Sequence, residues 1–72
     1  MSQRVYRIVI QGELNSRFLG AFEGMTASEE KDNTVLTGPV RDQAHLQGLL
    51  QRVASLGLTL LSAATVDRGS PG

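Results

Sequence analysis

The side chains best able to do chemistry in this sequence stand together in the run Arg41-Asp42-Gln43-Ala44-His45. His45 is the only histidine, and an imidazole titrates close to physiological pH, so it could act as a general acid or base. Asp42 could be read as a catalytic carboxylate. Its type and place also suit the residue that caps a helix, and a histidine in the first helical turn is ordinary surface chemistry. The chain has no cysteine and no second histidine, which removes a thiolate nucleophile and argues against an all-protein zinc cage. No catalytic residue, metal site or cofactor is therefore expected. Gly38-Pro39 just before the helix could leave backbone N–H groups free for an anion. Arg41, Gln43 and His45 are the candidate binding residues of that site.

Other motifs yield less. Gly12, Gly20 and Gly24 lack the spacing and the lysine of a phosphate loop. Glu29-Glu30 reads as a solvated hairpin tip. Tyr6 is the only aromatic residue on an expected strand, which leaves no stacking platform for RNA. Seven Lys+Arg balance seven Asp+Glu for a formal net charge of zero, so no basic face advertises a nucleic-acid partner. The amino-terminal stretch is interrupted by Arg4, Arg7 and Gln11 and has no signal-peptide core. No apolar run approaches the roughly 20 residues needed to span a bilayer. A cytoplasmic, membrane-free protein is expected.

The elements that must position these residues follow from periodicity. Residues 4–14 alternate, with Tyr6, Ile8, Ile10 and Leu14 on one face and Val5, Arg7 and Val9 on the other. Residues 15–24 suggest a short helical connection carrying Phe18 and Phe22. Met25–Glu30 and Thr34–Val40 read as a hairpin turning at Lys31-Asp32-Asn33, and Pro39 must end its strand or leave a position unpaired. The strongest pattern is a helix from Asp42 to Gly57. Leu46, Leu49, Leu50, Val53 and Leu56 make its apolar stripe, Asp42 its cap and Gly57 its stop. Leu58–Val66 is apolar or small on both parities, which predicts a well-buried final strand. Residues 67–72 read as a disordered tail.

Strand, short helix, strand, strand, long helix, strand is the ferredoxin-like α+β pattern with a reduced first helix. It predicts a single domain over residues 1–66 and a mainly antiparallel sheet in the order 4-1-3-2. The long helix would cover one face. On the other, Val5, Arg7 and Val9 would lie beside Leu61 and Ala63, an apolar patch of the kind that marks an interface.

The segment Val35–Ala63, VLTGPVRDQAHLQGLLQRVASLGLTLLSA, resembles the carboxyl half of a family of short uncharacterised bacterial proteins. Those proteins share the pattern LTGPVxDQAxLxGLLxRVxxLGLxLLS, and IQGEL and AFEGMT stand in comparable places in their amino half. The resemblance implies a stand-alone domain and no particular chemistry.

A chain of 72 residues buries only about 60% of its unfolded surface, and small scaffolds without disulfides or metals often rely on association. The leading expectation is a non-enzymatic module that forms homo-oligomers or binds a protein partner. A small-ligand or anion-sensing domain is the alternative, and a cofactor-free dimeric α+β barrel enzyme using His45 is the third.

Overall fold

Alternating β-branched residues produce the first strand, β1 (Arg4–Ile10), whose Ile8 and Ile10 are fully buried. The computed structural model describes residues 4–14, 18, 20, 22 and 24–66. β1 is followed by β2 (Thr26–Glu30), β3 (Asn33–Val40), α1 (Gln43–Ser55) and β4 (Leu60–Thr65). The strands form one sheet in the order β2-β3-β1-β4, with every neighbouring pair antiparallel. β3 and β4 therefore run parallel, with β1 between them.

This is an α+β architecture with one helix in the described residues. Their order, three strands, helix, strand, is not the ferredoxin-like βαββαβ arrangement that the sequence suggests. The first helix expected over residues 15–24 falls largely outside the described residues. Within that stretch Phe22 lies in the core at 2% exposure, and Gly24 has a φ of +85°.

The hairpin turns on Lys31 and Asp32 alone, with φ of 51° and 67°. Two positive-φ residues match the twist of the flanking strands, a position usually given to Asn-Gly. β3 runs through Pro39 without interruption. Val5 accepts a hydrogen bond from Val66 N–H at 2.8 Å, so its backbone groups point to β4 and not to its β3 partner, Pro39. Pro39 in turn points away from β1, towards β2, which has already ended at the Thr26–Thr37 pair. The missing N–H falls where no strand would use it. Gly38 is demanded by crowding: a Cβ there would lie 2.7 Å from both Gly24 O and Met25 Sδ.

α1 is closed at both ends. Asp42 is extended (φ −161°) and its carboxylate accepts the His45 N–H at 2.8 Å. At the other end Gly57 N–H donates to Ala54 O, and Leu58 N–H to Val53 O, both at 3.0 Å. With Gly57 at φ +75° this is a Schellman stop, and it turns Leu58 back onto the core. The buried stripe is narrower than expected. Leu49 and Val53 are buried among Ile8, Ile10, Phe22, Leu36 and Val40, Leu46 and Leu56 pack at the rim, and Leu50 is half-buried.

The final strand departs furthest from expectation. It is confined to Leu60–Thr65, and every residue in it is exposed. As an edge strand it has one neighbour, and none of its residues joins the core cluster that α1 covers.

One buried polar residue ties the loop after β1 to the sheet. Thr34, 3% exposed, donates through Oγ1 to Gly12 O at 2.8 Å and accepts from Leu14 N–H at 3.2 Å. Thr34→Val keeps the shape and strands both groups. It should cost about 1–3 kcal/mol, read as a lower urea midpoint with an unchanged slope; an unaltered midpoint would show that the loop is not held this way.

Candidate functional site

The amino end of α1 is built by its cap. Asp42 Oδ1 takes the His45 N–H, and His45 Nδ1 in return accepts the Arg41 N–H at 3.0 Å. This is a capping box displaced by one residue, because the side chain three positions into the helix reaches back past the cap to the residue before it. His45 is thus engaged with backbone.

Beside the cap lies a cleft of about 340 Å³, lined by Arg4, Tyr6, Val40, Arg41, Asp42, Gln43 and Leu46. The structure brings the expected Arg41 and Gln43 into this one cleft, and His45 does not line it. It adds Arg4 and Tyr6, which sequence reasoning did not nominate. The strand register explains their presence: Arg4 pairs with Val40 and Tyr6 with Gly38, so the start of β1 lies alongside the residues that lead into α1. The parity of β1, which puts Tyr6 with Ile8 and Ile10, was the available signal for Tyr6. Two guanidiniums and one carboxylate leave the lining of this recess with an excess of positive charge. Among the described residues no group of three His, Cys, Asp or Glu side chains could hold a metal ion. No helix there is long and apolar enough to cross a membrane.

The opposite face of the sheet carries Val5, Arg7 and Val9, paired with Pro39, Thr37 and Val35 of β3. On the β4 side, however, Arg7 pairs with Ala64 and Val9 with Ser62, while Ala63 stands opposite the core residue Ile8. Ala63 therefore shares the helix side of the sheet and does not join the valines. A register irregularity between Val9 and Ile10 steps the β4 partner from Ser62 to Leu60, so Leu61 has no partner of its own. Among the described residues Leu60 and Leu61 are the large hydrophobic side chains left exposed, at 40% and 49%.

The valine face is not bare. Arg7 reaches across β3 to Glu30 on β2, with Nη2 2.7 Å from Oε1. Arg7 pairs with Thr37 and Glu30 with Asn33, so the line between them passes over Val35, which is only 3% exposed. Glu30 is therefore an ion-pair partner and not merely a solvated tip. Both side chains remain substantially exposed, so the pair contributes about 1 kcal/mol at most.

A family model described as Domain of unknown function (DUF8691) matches residues 5–64, a span that contains the whole VLTGPV-to-LLSA segment. No curated protein and no solved structure matches the chain significantly.

If His45 serves the cap, His45→Ala should lower stability by about 0.5–1 kcal/mol, and Asp42→Ala by about 1 kcal/mol. Because the two bonds form one unit, the double variant should cost less than the sum of the two. Strict additivity in a thermal-denaturation cycle would show that the two residues act separately.

Proposed function

We propose that this chain, which belongs to the DUF8691 domain family, is a non-enzymatic module that works by associating with further copies of itself. The observation that carries this reading is the edge strand β4, exposed at every residue, free of charge and opening with the exposed Leu60 and Leu61. Exposed apolar surface at an open sheet edge favours association, and a net charge of zero adds no long-range repulsion against it. A catalytic reading draws no support from His45, whose Nδ1 is committed to the Arg41 N–H.

Sedimentation equilibrium from low micromolar to millimolar chain tests the proposal. The weight-average mass should climb from 7.7 kDa towards twice that value. A mass that stays at 7.7 kDa over the whole range would sink it.

A second reading is favoured by the cleft itself, with Arg4 and Arg41 at its walls: it would bind a small anion as a regulatory ligand. Phosphate, sulfate and small carboxylates should then raise the melting temperature. A ligand at 100 times its dissociation constant stabilises by about 2.7 kcal/mol. The rise should vanish in the Arg4→Ala/Arg41→Ala variant; a rise that survives both substitutions would place the anion elsewhere.

A further inference from the structure

The open side of β4 can be read residue by residue. Val66 N–H donates to Val5 O at 2.8 Å, so Val66, and by alternation Ala64 and Ser62, turn their N–H and C=O groups inward to β1. Ala63 and Thr65 therefore turn theirs outward, where no strand lies among the described residues. Such an edge is a template for another strand unless charge, proline or a bulge blunts it. β2, the other edge of the sheet, is blunted by Glu29 and Glu30 and leads into Lys31. β4 reads LLSAAT, with no charge and no proline, and its single irregularity lies at its Leu60–Ser62 end.

We infer that β4 is the surface through which two copies join: their β4 strands pair antiparallel about a two-fold axis at Ala63, and the two four-stranded sheets become one of eight strands. This rests on the self-association reading and gives it a geometry. Ala63 N–H and C=O meet their own images, and Leu61 and Thr65 of one copy face Thr65 and Leu61 of the other.

The occupant is a second copy for electrostatic and topological reasons. About the two-fold axis Ala63 meets its own image and the other positions meet in exchanged pairs, so a strand charged with one sign would set like charges against each other. LLSAAT has none, and the small Ala63 leaves room at the axis. Pairing β4 with β2 of another copy would set Glu29 and Glu30 against a strand that offers no cation. It would also leave edges open for further growth, whereas the two-fold pairing closes. One short ladder buries less than the roughly 800 Å² per partner of a standard interface, so the dimer should be weak, with micromolar dissociation.

The chain contains no cysteine, so a single introduced thiol reports its own contacts. A hydrogen-bonded antiparallel pair sets its Cα atoms about 5.5 Å apart, inside the range a disulfide bridges. Under mild oxidation Ala63→Cys should therefore cross-link at least about tenfold faster than Ser28→Cys on β2, because a preformed pair raises the local thiol concentration. Ala63→Lys, at an exposed position, should keep the far-UV circular dichroism and melting temperature while the mass at millimolar chain falls to that of the monomer. Equal cross-linking rates, or an Ala63→Lys chain that still dimerises, would overturn the edge geometry while leaving self-association standing. A native chain that never exceeds the monomer mass would remove both.

Discussion

The burial of Ile8 and Ile10 in β1 is the contact on which everything else is hung. Both side chains are sealed from solvent. β1 can bury them because it is an interior strand, hydrogen-bonded to β3 on one side and β4 on the other, while Leu49 and Val53 of α1 close over the same cluster. Its position also brings Arg4 and Tyr6 to the start of the helix and lays Arg7 across the far face. The cleft, the ion pair and the open edge are thus three consequences of one strand sitting where it does.

The two faces of the sheet solve the problem of a small core differently. The helix side gathers aliphatic side chains from β1, β3 and α1, with Phe22 from the connection after β1 as its largest member. The far side has no second helix among the described residues. There Val35 is covered from within the sheet, under the Arg7–Glu30 pair and beside Val9. Long charged side chains can shield apolar surface with their methylene stems while their heads stay wet, and that makes a half-solvated face tolerable.

The parts of the fold legible in the sequence are those marked by local punctuation. Asp42 and Gly57 bracket α1 because capping and stopping a helix are decided within a few residues. The strand order 4-1-3-2, read from the succession of elements, is the order of the sheet counted from its other edge. What could not be read depended on partners distant in the chain. LLSAAT is apolar or small on both parities, and periodicity cannot distinguish a covered central strand from a bare edge; only the pairing does. The irregularity opposite Val9 and Ile10 shifted the parity of β4, which moved Ala63 off the valine face. Arg4 and Tyr6 joined Arg41 and Gln43 through the β1–β3 register. Glu30 found its partner 23 residues away.

Pro39 has a bearing on how the hairpin finds its alignment. Sliding β2 along β3 by one residue would turn Glu30 to the helix side of the sheet and break its ion pair with Arg7. A slide of two residues restores sidedness, so hydrophobic patterning offers no defence. That slide would bring Thr26 from Thr37 to Pro39, and would ask the proline for a hydrogen it does not possess. The imino acid thus works as a proofreading stop: it leaves the correct register untouched and withholds a bond from the misalignment that the rest of the pattern would accept.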